Sequence, residues 1–142
     1  MLQIQSFPYS DQKNYKTALQ IRTRVFVDEQ NVDPFIEQDA HEEDALHYIA
    51  YLDELPVGAA RWRETDRGIK LERFAVLKEY RNRDIGSRIL KQVMEDVLPL
   101  GKEIYLHAQI RAIRFYEKYH FEISGEPFEE AEIIHYTMVF KG

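Results

Sequence analysis

The feature that most limits how this chain can fold is a single apolar stripe. Ile85, Ile89, Leu90, Val93, Met94, Val97 and Leu98 recur at helical spacing and form one continuous face. Asp84 precedes the stripe, and Pro99 and Gly101 end it. A helix this one-sided must cover an apolar surface, and the flanking segments supply strands. Residues 2–7, 46–52, 57–63, 69–77, 103–108, 121–123 and 133–140 read as extended. Residues 53–56, Asp-Glu-Leu-Pro, form a turn that makes a hairpin of the second and third strands. Alternation along the fourth strand puts Leu71, Arg73 and Ala75 on one face, with Lys70, Glu72, Phe74 and Val76 on the other. Two further helices are expected. One starts at Ser10 or Asp11, runs to about residue 29 and carries Tyr15, Ala18, Leu19, Arg22, Val25 and Phe26. The other covers 112–119. Residues 31–44 read as an acidic loop. The order βα–βββ–αβ–αβ–β predicts a mixed α+β (α/β) fold, with a mixed sheet covered by helices.

Composition narrows the function. The 142 residues suit one domain, 1–142. With 44% apolar residues the chain can build a core without staples. No cysteine is present, which excludes thiolate nucleophiles, disulfides and Cys-ligated metals. We see no signal peptide and no apolar run of membrane-spanning length, so a cytoplasmic location and no membrane partner are expected. A net charge of −6 argues against nucleic acid. The charge is uneven. Residues 25–60 hold ten acids and no Lys or Arg, whereas residues 61–118 hold 14 bases against nine acids. Solvated faces explain such patterning, and so does a basic centre for a polyanion beside an acidic rim for a cation. His41 and His47 lie among carboxylates but lack the repeated spacing of a cation loop, so no metal is expected.

The stretch richest in chemistry is Arg81-Asn82-Arg83-Asp84-Ile85-Gly86-Ser87, between a strand and the strong helix. A helix start exposes unpaired N–H groups and the positive end of the dipole. Two arginines and a glycine in the same turn make it a plausible pyrophosphate cradle. The plainer alternative is an ordinary turn with Asp84 as N-cap.

On these residues the chain resembles the GNAT family of acyl-CoA-dependent N-acetyltransferases. Residues 81–86 match the family's turn of Arg or Gln, two residues, Gly, one residue, then Gly or Ala. Residues 71–76, Leu-Glu-Arg-Phe-Ala-Val, match the strand leading into it. Residues 114–121, Arg-Phe-Tyr-Glu-Lys-Tyr-His-Phe, match the closing motif, and residues 21–32, 106–109 and 135–138 extend the likeness to a small bacterial single-domain subgroup. Two positions depart from the pattern: Asp84 stands at the first glycine, and His120 at the glycine before the closing Phe.

The resemblance implies a three-layer fold, with a mixed, mostly antiparallel sheet of about six to seven strands and about four helices. It implies acetyl-CoA as co-substrate and direct attack by a primary amine, of a small molecule or peptide, in a ternary complex. Phe74, Ala75 and Val76 would pair with the pantetheine arm. Arg81, Asn82, Arg83, Asp84, Ile85, Gly86 and Ser87 would hold the pyrophosphate. A backbone N–H near Val76 would polarise the thioester carbonyl. Tyr116 would protonate the departing thiolate. Glu72 is the first candidate for a base or water-positioner, with a salt bridge to Arg73 or Arg61 as its alternative. His107 and Gln109, and then His135, are candidates to line the acceptor site. The acidic 28–44 segment, with Glu126, Glu129, Glu130 and Glu132, would steer a cationic acceptor. A homodimer is a further option. Other readings are a non-catalytic acyl-CoA sensor or partner-binding module and, ranked lower, an acyl-homoserine-lactone-synthase-like acyltransferase.

Overall fold

The computed structural model describes residues 1–142. Eight strands form one sheet: β1 Leu2–Pro8, β2 Leu46–Leu52, β3 Leu55–Glu64, β4 Ile69–Val76, β5 Ile104–Gln109, β6 Phe121–Ile123, β7 Phe128–Glu130 and β8 Ile133–Phe140. Their order is β1-β2-β3-β4-β5-β8-β6, and β7 also pairs with β8. Only β4 and β5 run parallel; the other pairings are antiparallel. The helices are α1 Gln12–Arg22, α2 Pro34–Glu37, α3 Ile85–Val97 and α4 Ile113–Glu117. This is the expected mixed fold with one strand more. β7 is a polar Phe-Glu-Glu segment whose hairpin with β8 turns on Ala131 and Glu132, both at positive φ.

The hairpin between β2 and β3 is tighter than the sequence suggests. Its two turn residues, Asp53 and Glu54, have φ of 49° and 74°, as a type I′ turn requires. Leu55 and Pro56 therefore already belong to β3.

Helices sandwich the sheet. On one face α3 buries Ile85, Ile89, Leu90, Val93 and Val97 against Tyr48, Val57, Leu71, Leu106 and Met138. Each fully buried aliphatic side chain contributes roughly 1.5–3 kcal/mol, so this face dominates the stability of the fold. On the other face α1 lays Tyr15, Ala18 and Ile21, and the helical turn after it Val25, over Phe7, Ile49, Ala59 and Ala75. The helical stretch runs to Glu29 as expected, but Thr23–Glu29 is wound as a π-helix. Asp11 caps α1 by accepting from the Asn14 N–H at 3.3 Å.

The strand β4 changes face partway along. Ala59 pairs with Ala75 and Arg61 with Glu72, so β4 carries one residue more than β3 across this interval. Arg73 sits in that interval with φ of 58°. This is a β-bulge, and it reverses the alternation beyond it. Leu71, Phe74 and Val76 consequently share the α3 face, while Ala75 faces α1. The expected grouping of Leu71 with Ala75, and of Glu72 with Phe74 and Val76, is corrected by that extra residue.

Candidate active site

Two local features converge at the C-terminal end of β4. The first is a split in the sheet. The parallel pairing of β4 with β5 spans only Ile69–Ile104, Lys70–Tyr105 and Leu71–Leu106. Beyond it, Glu72 to Val76 and His107 to Gln109 run on without pairing to one another. The Leu77 N–H donates to Val57 O on β3 at 2.9 Å. By alternation the backbone groups of Val76 point the other way, into the split. An extended ligand lying there can add hydrogen bonds as a strand would.

The second feature is the start of α3. Asn82 and Asp84 both have left-handed backbones, with φ of 66° and 59°. Asp84 occupies the N-cap position, but its side chain makes no capping bond. The first-turn N–H groups of α3 are therefore left for a ligand. A Cβ placed on Gly86 would meet Val76 Cγ2 at 3.7 Å and Phe115 Cζ at 3.8 Å, which leaves room for alanine. The Ser87 hydroxyl is hydrogen-bonded to the Tyr119 hydroxyl, tying the helix start to the end of α4.

The two arginines of the turn differ. Arg83 forms no ion pair; its guanidinium lies 5.5 Å over the Tyr80 ring, exposed and available to an anion. Arg81 is already engaged. Both its terminal nitrogens reach Glu29, at 2.9 and 2.7 Å, and its Nε donates to Val76 O at 3.0 Å. Arg81 thus fastens the loop to the end of the π-helical segment, and a pyrophosphate would have to compete with Glu29 for it.

Tyr116 on α4 is 8% exposed. Its ring packs edge-on against Phe74 and Phe115, with centroids 6.3 and 5.0 Å away. Burial pushes the phenol well above its ordinary acidity range, so it stays protonated at neutral pH. Its hydroxyl makes no hydrogen bond within the protein and can give its proton to a ligand atom.

Glu72 is placed differently from the expectation. It is 8% exposed, and its carboxylate is held by Arg61 at 2.9 Å, Arg63 at 2.8 Å and Lys70 at 3.1 Å. Burial opposes its charge, but Arg61 and its neighbours outweigh that and hold its pKa down at about 2. So engaged a carboxylate is a weak base towards an ammonium at neutral pH, which favours the salt-bridge reading over that of base or water-positioner. The alternative salt bridge is present to Arg61 but not to Arg73, which pairs with Glu37 and Asp39 at 3.2 Å each.

The same cluster absorbs much of the acidic segment. Arg22, 1% exposed, pairs with Glu37 and Glu42 at 2.8 Å. Arg61, fully buried, also pairs with Asp39 at 2.7 Å and Glu42 at 3.0 Å. Glu37, Asp39 and Glu42 therefore point inward and are neutralised, which leaves Asp28, Glu29, Asp33, Glu43 and Asp44 as the exposed acids of residues 28–44. His47 is buried with them; its Nε2 lies 2.9 Å from Glu42 O. The sequence shows an acidic stretch and a basic one, but not that they pair with each other.

The acceptor candidates lie on the other side of the split. His107 is the first residue of β5 beyond the paired stretch, and its Nδ1 is 3.3 Å from Glu130 Oε1. His135 Nε2 is 3.8 Å from the second oxygen of the same carboxylate, and its Nδ1 is 2.7 Å from Ile133 O. Phe128 packs on both rings, 4.8 Å from His107 and 5.9 Å from His135. Gln109 donates to Gln30 Oε1 at 2.8 Å. The structure thus gathers His107 and His135 around Glu130, and leaves Gln109 with Gln30. The sequence treats Glu130 only as one of four nearby acids, because nothing in a short polar run marks it as a strand.

Comparison with known proteins agrees with this geometry. Residues 7–141 match the family model described as an acetyltransferase (GNAT) domain. The chain is 37% identical over 131 residues to the Bacillus subtilis protein named "Uncharacterized N-acetyltransferase YjcF", covering 91% of this chain and 94% of the relative. Among solved structures, Escherichia coli ElaA superimposes with a TM-score of 0.89 at 25% identity, over 99% of this chain and all of the other. An acyl-CoA N-acyltransferase from Pseudomonas aeruginosa shares the fold with the same TM-score at 24% identity, over 99% of this chain and 100% of its own. A split sheet beside an uncapped helix start, in a chain matched to that domain from near its beginning to its end, makes this protein a member of the GNAT acetyltransferase family.

Proposed function

We propose that the chain, acting as one domain, transfers an acetyl group from acetyl-CoA to a primary amine by direct attack in a ternary complex. The observation that carries this reading is the split between β4 and β5 opening beside the uncapped start of α3. The N–H groups of Asp84, Gly86 and Ser87, with the Arg83 guanidinium, suit the pyrophosphate. Phe74, Ala75 and Val76 line the split for the pantetheine arm, and a Val76 N–H directed there suits the thioester oxygen. Holding amine and thioester together supplies much of the acceleration. Tyr116 is a proton donor for the departing thiolate. Glu72 orders the strand rather than exchanging protons.

Thiol release from acetyl-CoA in the presence of a panel of primary amines tests the reading. The expected result is amine-dependent release, with Tyr116→Phe lowering kcat about 10²-fold while acetyl-CoA affinity holds. Tight acetyl-CoA binding without thiol release from any amine would favour the sensor reading.

A further inference from the structure

With Glu72 locked in its ion pairs, the proposed transfer lacks a group to deprotonate its amine. An alkylamine is protonated near neutral pH and cannot attack until it loses a proton. The chain has one other constellation suited to the task. We infer that His107 takes the proton from the acceptor amine, and that Glu130 holds its ring in position to do so. This rests on the acetyltransferase reading above.

Position is the first argument. His107 begins the unpaired end of β5, where the sheet opens. Its neighbours Leu106 and Ala108 belong to the core on the α3 face, so alternation puts His107 on the opposite face. Tyr116 belongs to the α3 face. A thioester in the split would therefore have the thiolate's proton donor on one side and His107 on the other. That separation lets one group deprotonate the amine while another protonates the departing sulfur.

Hydrogen bonding is the second. Nδ1 of His107 is the atom that faces Glu130, at 3.3 Å, and Nε2 has no partner in the protein. The side chain is 24% exposed, so Nε2 can reach a bound amine. A carboxylate on one ring nitrogen fixes the tautomer that leaves the other free to accept a proton. Phe128 from β7 meets the ring edge-on at 4.8 Å and limits its rotation. The other charged and titratable groups around the pair are His135 from β8, 3.8 Å from the Glu130 carboxylate, Lys70 from β4, whose charge favours the carboxylate form, and Tyr105 of β5, 6.1 Å from His107.

The protons balance. His107 takes one from the ammonium and passes it to solvent. The nitrogen–carbon bond forms, the carbon–sulfur bond breaks, and Tyr116 gives its proton to the thiolate. The second amine proton restores the Tyr116 phenol.

Two small nucleophiles test this without knowledge of the natural acceptor. Ethylamine is protonated at neutral pH and needs a base; hydroxylamine is unprotonated there and does not. Enzyme-catalysed transfer from acetyl-CoA to each is measured with wild type, His107→Gln and Glu130→Gln, together with acetyl-CoA affinity by calorimetry. The expected result is that the ethylamine-to-hydroxylamine rate ratio falls about 100-fold in His107→Gln and about tenfold in Glu130→Gln, at unchanged acetyl-CoA affinity. A merely structural role would lower both rates together. Should His107→Gln not fold, Glu130→Gln on the exposed hairpin carries the test alone. An unchanged ratio overturns the inference and leaves the acetyltransferase reading standing. Wild-type protein that binds acetyl-CoA but acetylates neither probe, or that fails to bind it, overturns both.

Discussion

Asp84 and His120 are the two residues where this chain departs from the family pattern it resembles, and both have left-handed backbones, with φ of 59° and 70°. The pattern asks for glycine at these positions because a Cβ is strained there, by roughly 1–2 kcal/mol for most residues. Asp pays less than most, since its short polar side chain tolerates that region, and the loop keeps its shape. The cost that remains is electrostatic: an exposed carboxylate beside a site for pyrophosphate, paired with neither Arg81 nor Arg83. Asp84→Gly is therefore expected to tighten acetyl-CoA binding about fivefold with little change in stability; titration calorimetry and thermal melts read the two effects separately. His120→Gly should raise stability by about 0.5 kcal/mol with no change in affinity, because His120 lies outside the phosphate turn. These positions are legible in the sequence, since a motif states which backbone each residue must adopt. The engagement of Arg81 by Glu29 is not, because the partners are 52 residues apart and only the fold brings them together.

At the scale of elements, the apolar stripe of α3 and the strand–helix–strand crossover are written in periodicity, and the structure follows them. β4 is where periodicity misleads. One extra residue at Arg73 reverses the faces, and strict alternation has no means of showing it. That bulge sends Phe74 to Tyr116 while Glu72 remains beneath Arg61. The consequence is measurable. Glu72 binds its proton near the ordinary carboxylate range in the unfolded chain but only near 2 in the folded one. Its contribution is thus complete above the unfolded value and is lost as pH falls through about 2. Glu72→Gln leaves Arg61, Arg63 and Lys70 without that carboxylate and should destabilise the fold by about 3 kcal/mol at neutral pH. Chemical denaturation across acid pH checks this: the gap between variant and wild type should narrow towards the lowest pH. A gap independent of pH would remove Glu72 from the account of acid stability.

The whole molecule is a sheet closed on one side and opened on the other. Ion pairs from Arg22, Arg61 and Arg73 draw the segment around α2 down onto β3 and β4. Beyond Leu71 and Leu106 no such fastening crosses from β4 to β5, and the sheet parts there. The uneven charge along the chain reads as a basic centre beside an acidic rim, but part of the acid serves to hold the fold together instead of attracting a ligand. Arg83 is the cation left over at the opening. The central claim is that this opening and the start of α3 together receive acetyl-CoA. Titration calorimetry of wild type and Arg83→Glu with acetyl-CoA, and with desulfo-CoA as a thiol-free comparison, tests it most directly. The account predicts wild-type binding to both ligands, weakened at least about tenfold in the variant, whose fold and melting are preserved. Equal affinity in the two proteins, or no binding by wild type, would contradict it.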